Sequence, residues 1–190
     1  MENLKLFMLL LGCTPKGRHI EQHDIFFGIA TELKNLVPEI IMFWPEAEEK
    51  IHIDAWREVT CVDGYKVAIT EKIKTQQAPN SIESKKLFFI NLGGYKENEF
   101  EEYHYRMLCI SNDKGAAIQQ AKQTAFYAHT GFKTAESHID DKFGIDVDDL
   151  YEIEDILPQG TKEKYAIKIS HSEDATTDEL HMGYFRLNKL

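Results

Sequence analysis

An internal repeat limits the folds open to this chain more than any other feature of its sequence. Two apolar strings of the first copy, Leu6–Phe7 and Leu11–Gly12, recur 81 residues later as Leu87–Phe88 and Leu92–Gly93. Further residue pairs at the same offset are Glu21 and Glu102, His23 and His104, and Ile29 and Ile110. Because unrelated matches would scatter over many offsets, a constant offset predicts two tandem copies of one structural unit.

A third block of matches lies at an offset of 86 residues. The string His52–Ile53–Asp54 recurs as His138–Ile139–Asp140, and Asp63 and Tyr65 recur as Asp149 and Tyr151. We interpret the change of offset as a five-residue insertion in the second copy, ahead of this block.

Each copy begins with a pattern typical of a β-hairpin. Lys5–Gly12 and Lys86–Gly93 carry apolar residues on both faces of the predicted strand. This pattern suits a strand that is covered on both sides. A short polar loop and a second apolar stretch follow in each copy, so the two strands are predicted to pair antiparallel.

A helix and further strands complete each unit. We predict Thr31 as the helix N-cap in the first copy and Asn112 or Asp113 in the second. Pro38 is expected to break or kink the first helix. A third strand follows, and Asp63–Gly64 predicts a hairpin turn after it in the first copy.

The predicted fold class is α+β: an internal duplication of a β-β-α-β(-β) unit with antiparallel sheets, plus a C-terminal β-hairpin. The predicted segments are repeat unit 1 at 1–72, a polar linker at 73–84, repeat unit 2 at 85–158, and a hairpin at 159–190 that packs on the repeats.

Charge and composition argue against two classes of partner. A formal net charge of −10 opposes binding to nucleic acid and to anionic lipid. No apolar stretch approaches the eighteen residues that a membrane-spanning helix requires. Three scattered cysteines, Cys13, Cys61 and Cys109, favour a reducing compartment over a disulfide framework. We therefore expect a cytoplasmic protein.

The N-terminal string ending at Cys13 superficially resembles a lipoprotein signal. Its apolar run after Lys5 is short for such a signal. The same string returns at Lys86–Gly93, far from the N-terminus. We therefore predict that Met1–Cys13 is retained and forms a core strand.

Two stretches of the first copy resemble a known bacterial family. They are Lys16-Gly17-Arg18 leading into Ile20–Asp24, and Lys50–Val59 running to Val62–Tyr65. They look like the family called only "domain of unknown function 1543", which occurs as one or two copies per chain. The resemblance implies no activity, substrate or cofactor. The second copy lacks the Lys-Gly-Arg loop and the Trp-Arg-Glu string, so any role of these belongs to the first copy.

Two polar patterns are present in both copies. They are Glu-x-His, at Glu21/His23 and Glu102/His104, and His-Ile-Asp, at His52/Asp54 and His138/Asp140. Residues two apart on a strand share a face, so each pattern points two polar side chains the same way. Such a set could bind a divalent metal, or a His–carboxylate pair could act as a general base.

A structural hydrogen-bond network is the third interpretation, and we favour it over both. Only one copy of a duplicated unit needs an active site, whereas both copies must fold. Retention of the polar patterns in both copies therefore favours a structural role, unless a single site uses residues of both copies. Convergence of Glu21, His23, His52 and Asp54 in a cleft would favour function instead, whereas backbone hydrogen bonds to them would favour structure.

The loop Lys16-Gly17-Arg18 could hold an anion through its cations and a glycine N–H. We favour an exposed basic loop without a ligand, because the loop does not follow the phosphate-loop pattern.

No nucleophile, metal-cluster or dinucleotide motif is present in the sequence. The function is therefore not named by the sequence, and we expect a non-enzymatic binding or interaction module with a small-molecule or protein partner. The alternative is a small enzyme, metal-assisted, with a Glu/His/Asp site in the first copy. No cofactor is evident, a divalent metal is not favoured, and the oligomeric state stays open.

Overall fold

The computed structural model describes residues 3–47, 50–72, 85–95, 98–123, 145–173 and 176–190. The chain divides into two compact units, Met1–Gln76 with Ile156–Leu190, and Gln77–Asp155. Both are mixed α+β with antiparallel strand pairing, which confirms the predicted class. Within these ranges, no helix is long and apolar enough to cross a membrane.

The described strands, in chain order, are β1 (Lys5–Cys13), β2 (Gln22–Ala30), β3 (His52–Glu58), β4 (Cys61–Val62), β5 (Tyr65–Glu71), β6 (Lys86–Tyr95), β7 (Glu102–Ser111), β8 (Ile145–Glu152), β9 (Tyr165–His171) and β10 (His181–Arg186). The described α-helices are α1 (Val37–Phe43), α2 (Lys114–Lys122), α3 (Ile153–Ile156) and α4 (Gln159–Lys164). Three short 3₁₀ turns span Leu33–Leu36, Pro45–Ala47 and Leu187–Lys189.

The main sheet of the first unit has the strand order β10-β3-β1-β2. The apolar strand β1 lies in its interior, and Phe7, Leu9 and Leu11 are buried in the core of the unit. The predicted hairpin is confirmed, because β1 pairs antiparallel with β2 along its whole length. Burial of these side chains stabilises the unit by about 1.5–3 kcal/mol for each large apolar residue.

A β-bulge interrupts the pairing of β1 with β3. Leu10 pairs with Ala55, whereas the next residue, Leu11, pairs with Ile53. Asp54 is therefore the extra residue of β3. A bulge of this kind re-aims side chains locally and is common beside functional sites.

The Asp63–Gly64 turn is confirmed. It joins β4 to β5, with φ of 52° at Asp63 and 79° at Gly64. Both values lie in the left-handed region, where glycine carries no steric cost and aspartate is tolerated.

The C-terminal β-hairpin was predicted wrongly. Strands form where expected, but β9 pairs with β5 and β10 pairs with β3. In the described part of the chain, the two strands lie in different sheets. Ile156–Leu190 belongs to the first unit, because unpaired edges of the two sheets of that unit accept these strands.

The start of each helix tests the predicted caps. Asp113 caps α2, since its Oδ1 accepts the Ala116 N–H at 2.9 Å, as predicted. The Thr31 prediction is wrong: the 3₁₀ turn begins at Leu33 after Glu32, without a side-chain cap. The helical stretch changes from the 3₁₀ turn Leu33–Leu36 to α1 directly before Pro38. Pro38 lies in the first turn of α1, where its missing N–H has no helical partner to lose.

The sheet of the second unit has the order β7-β6-β8. Its core contains Phe88, Ile90 and Leu92 of β6, packed with Cys109 and the buried alanines of α2. Between Asn91 and Leu92, the pairing of β6 with β8 shifts by one residue, so Asp148 is the extra residue of β8.

The predicted alignment of the third block of the first copy with that of the second copy is wrong, because the strands pair in a different register. β8 pairs with β6 as β3 pairs with β1, and it places Asp146 opposite Gly93, where β3 places His52 opposite Gly12. Asp149 and Tyr151, which were matched to the hairpin at Asp63 and Tyr65, lie inside β8. The string His138–Asp140 and the linker 73–84 lie outside the described residues. Strand pairing, and not local similarity, determines this register.

Candidate metal centre

The candidate site of the first unit lies where three strands of the main sheet meet. Gly12 of β1 is in register with His23 of β2 on one side and with His52 of β3 on the other. Glu21 directly precedes β2, and Asp54 is the bulge residue of β3. The central strand contributes no side chain here, so groups from both neighbouring strands approach each other above it.

Gly12 makes this approach sterically possible. A Cβ atom at this position would lie 2.5 Å from Asp54 Oδ2 and 2.5 Å from His52 Nε2. Such distances are well below van der Waals contact, so any larger residue would displace the two side chains. The requirement here is for space and not for an unusual backbone angle.

Two carboxylates lie between two imidazoles. His52 Nε2 lies 3.1 Å from Glu21 Oε1 and 3.2 Å from Asp54 Oδ1. His23 Nε2 lies 3.2 Å from Asp54 Oδ2 and 3.5 Å from Glu21 Oε2. Each carboxylate thus turns one oxygen toward each ring. The structure brings together all four residues that the sequence singled out in the first copy, and we call them the four-residue cluster.

The cluster is buried on one side and open on the other. The His52 side chain is 7% exposed and that of Asp54 is 26% exposed, whereas Glu21 and His23 are 42% and 37% exposed. Tyr184 of β10 covers the His52 ring, with ring centroids 4.2 Å apart. An ion or water molecule would therefore enter from the side of Glu21 and His23.

Asp54 Oδ2 is buried and has no hydrogen-bond partner among the described residues. His23 Nε2 is 3.2 Å away, but this contact is an electrostatic approach and not a directed hydrogen bond. Within the described residues, neither carboxylate of the cluster accepts a backbone N–H. Buried polar atoms in structural networks are nearly always satisfied, so this oxygen requires an explanation.

The donor set fits a divalent metal ion. Ligand atoms of Glu21, His23 and Asp54 all lie within 4.8 Å of one another, and His52 Nε2 adjoins both carboxylates. Imidazole nitrogens with carboxylate oxygens are ligands of zinc and related transition metals. A bound cation would also relieve the repulsion between two adjacent carboxylates.

The second unit contains a related cluster that the sequence analysis only partly identified. Glu102 and His104 are joined by Asp148, and their ligand atoms also lie within 4.8 Å of one another. Asp148 was missed because His138–Asp140 was matched to His52–Asp54. The equivalence is visible in the structure: Lys5 pairs with Glu58, and Lys86 pairs with Glu152 at 2.7 Å. Aligning these ion pairs places Asp148 at the position of Asp54, which the sequence alone did not indicate.

The basic loop forms an exposed turn. Gly17 has a φ of +82°, and the Arg18 N–H donates to the Pro15 carbonyl at 3.1 Å. Lys16, Gly17 and Arg18 are all exposed. One backbone donor of the candidate anion loop is thus used within the turn, and anion binding there stays the less favoured of the two interpretations.

Comparison with protein families supports the family name for part of the chain. Residues 18–69 match the model described as Domain of Unknown Function (DUF1543). The matched segment contains Glu21, His23, His52 and Asp54, so the whole four-residue cluster lies within it. Its description names no activity.

Comparison with solved structures shows the fold. The chain is similar to the crystal structure of a protein Il1583 from Idiomarina loihiensis, with 23% sequence identity and a TM-score of 0.62. The similarity covers 97% of each chain. No curated protein matches the sequence. Residues 18–69 are therefore similar to a family of unknown function, and the chain shares its fold with this solved structure.

Proposed function

We propose that the first unit binds a divalent transition-metal ion through Glu21, His23, His52 and Asp54. The observation that carries this proposal is the buried Asp54 Oδ2, which has no hydrogen-bond partner among the described residues and lies within 4.8 Å of ligand atoms of Glu21 and His23. A cation at this place supplies the missing partner of Asp54. It also explains why two carboxylates and two imidazoles converge without using the backbone.

Zinc is the metal that this donor set favours among the common divalent ions. Two imidazoles raise the preference for Zn²⁺ and its neighbours over Mg²⁺ and Ca²⁺, which take oxygen ligands. Four protein ligands are typical of a structural zinc site, which agrees with a non-enzymatic binding module. The network interpretation favoured by the sequence explains the His–carboxylate contacts but leaves Asp54 Oδ2 unpaired.

A metal-assisted enzyme is the second candidate. A cavity of about 390 Å³ contacts the cluster through His52 and is also lined by Tyr184 and Arg186 among others, and its size suits a small ligand. The enzyme hypothesis predicts that zinc-loaded protein hydrolyses p-nitrophenyl acetate faster than zinc-free protein, and that His23→Ala abolishes the difference. Equal hydrolysis rates with and without zinc would contradict the enzyme hypothesis and favour a non-enzymatic binding module.

We also propose that the two units arose by internal duplication. Three observations support this: the shared strand order, the bulge at Asp54 and at Asp148, and the Lys–Glu pairs at the same ends of the two sheets. The three cysteines are free, which supports a reducing compartment, and we propose the bacterial cytoplasm. The net charge of −10 supports partners other than nucleic acid or membrane.

The test is metal-dependent stability of the full chain. Protein stripped with a chelator is melted with and without Zn²⁺, beside His23→Ala and the control His19→Ala. His19 is an exposed histidine near the cluster and outside it. Zinc at about 100 times its dissociation constant should stabilise the parent and His19→Ala by about 2.7 kcal/mol.

The stabilisation by zinc should be lost in His23→Ala. Elemental analysis of purified protein should show zinc or a related metal in the parent and less in His23→Ala. A parent chain whose melting temperature does not respond to Zn²⁺, Ni²⁺ or Mn²⁺ would refute the proposal.

A further inference from the structure

We infer that the second unit contains a second cation site of different chemistry, formed by Glu102, His104 and Asp148. The site is richer in oxygen than the four-residue cluster and favours a hard divalent cation of the Mn²⁺ type. This inference rests on the proposed metal binding of the first unit and extends it to two unlike sites in one chain.

The second site is built from the same strand positions as the first. Glu102 begins β7, His104 follows on the same face, and Asp148 is the bulge residue of β8. His104 Nε2 lies 3.4 Å from Asp148 Oδ2. Ligand atoms of all three residues lie within 4.8 Å of one another, which a single ion can span.

A glycine again provides the space. Gly93 of β6 is in register with His104, as Gly12 is with His23. A Cβ atom at Gly93 would collide with the Asp148 carboxylate, so this carboxylate lies directly over the strand. In both units, the absence of a side chain at this glycine thus leaves room for the cluster side chains directly over the central strand.

The two sites differ in one strand position. His52 is in register with Gly12, whereas Asp146 is in register with Gly93. Among the described residues, the second site therefore has one imidazole where the first has two. Its three ligating side chains are also exposed, whereas His52 is buried. Carboxylate-rich, hydrated sites suit Mn²⁺, Mg²⁺ and Ca²⁺, and imidazole-rich sites suit Zn²⁺. The second site should thus bind Zn²⁺ more weakly and discriminate less against Mn²⁺.

The test titrates chelator-treated full-length protein with Zn²⁺ and, separately, with Mn²⁺ followed by electron paramagnetic resonance. The parent should show one tight zinc site and one manganese site per chain. His104→Ala and Glu102→Gln should remove the manganese site and keep the tight zinc site, while His23→Ala should do the reverse. Glu101→Gln is the matched control, because Glu101 is exposed and outside the cluster.

Exchanging the differing residue tests the chemistry directly. His52→Asp should weaken zinc binding in the first unit by more than about tenfold, since loss of even an outer partner costs about 10–100-fold in affinity. Melting curves without metal verify that each variant is folded.

The outcomes separate this inference from the proposed function. One outcome is a single tight zinc site that disappears in His23→Ala, with no manganese bound by the parent. This outcome overturns the inferred second site and leaves the proposed metal site of the first unit intact. Manganese binding that survives both His104→Ala and Glu102→Gln also overturns the second site. A parent chain that binds neither ion overturns both.

Discussion

Gly12 and His52 are cross-strand neighbours on β1 and β3, and the imidazole of His52 occupies the space that a side chain at Gly12 would need. The two residues are paired in register, and His52 Nε2 lies 2.5 Å from the position that a Cβ atom at Gly12 would occupy. The placement of the His52 side chain therefore depends on the absence of a side chain at position 12. The same glycine is in register with His23 on β2. One position without a side chain thus determines whether the four-residue cluster can assemble.

Replacing Gly12 by alanine should therefore disrupt the cluster. The new methyl group would overlap both His52 and Asp54, and overpacking of this kind costs about 1–3 kcal/mol. Zinc-dependent stabilisation should be lost as well. Urea unfolding measures the first effect, and melting with and without Zn²⁺ measures the second.

Gly160→Ala is the matched control for this substitution. Gly160 lies in α4, and no atom lies within 4 Å of the position of its Cβ. Alanine should not lower the stability here, because alanine is a better helix former than glycine. Unchanged stability and zinc response in Gly12→Ala would show that the close approach is unimportant.

His52→Ala distinguishes a purely structural network from a metal site. Without metal, the variant should lose about 1–3 kcal/mol, because removing a buried partner leaves polar groups unsatisfied. With Zn²⁺, the gap between parent and variant should widen, because only the parent gains binding energy. The measurement is the free energy of unfolding in urea, with chelator and with zinc. A gap of equal size under both conditions would favour the structural network.

Asp178 should stabilise the segment before β10 through its hydrogen bonds. Its carboxylate accepts the Thr60 N–H at 3.0 Å, the Thr60 hydroxyl at 2.6 Å and the Cys61 N–H at 3.5 Å. Asp178→Ala should lower the free energy of unfolding by about 1–3 kcal/mol, because charged acceptors form the stronger hydrogen bonds. The control is Glu179→Ala, whose side chain is 83% exposed. Equal urea midpoints for the two variants would contradict the prediction.

The three cysteines should differ in reactivity. Cys13 and Cys109 are fully buried, whereas Cys61 is partly exposed. Burial raises the pKa of the Cys13 thiol above its ordinary value of 9.0, which keeps it in the unreactive protonated form. Iodoacetamide on the native protein should therefore modify Cys61 first, as mass spectrometry of the peptides would show. Modification of Cys13 at the same rate would refute this.

The raised pKa of Cys13 also has a consequence for stability. The unfolded thiol releases its proton at a lower pH than the folded one. The contribution of Cys13 is therefore fully present below pH 9.0 and is lost as the pH rises through the folded pKa. Cys13→Ser should reduce the alkaline loss of stability seen in urea titrations, and identical pH profiles would argue against the shift.

The local elements of the fold follow from short-range sequence patterns. The strands β1, β2, β6 and β7 follow from apolar stretches separated by short polar loops, which favour antiparallel neighbours. The turn at Asp63–Gly64 and the cap at Asp113 also follow from residue chemistry within a few positions. The Glu-x-His patterns were identified because residues two apart on a strand share a face.

The pairing of distant segments, in contrast, depends on the packing of each whole unit. The tertiary structure placed β8 beside β6 with Asp148 as a bulge, and it assigned β9 and β10 to edges in the first unit. Local patterns specify that a segment is a strand, but many partners and registers satisfy the same alternation, and slipping by one residue reverses every side chain. The choice depends on how much apolar surface the whole sheet buries and on where a bulge is accommodated, which are properties of the packed unit and not of any short string.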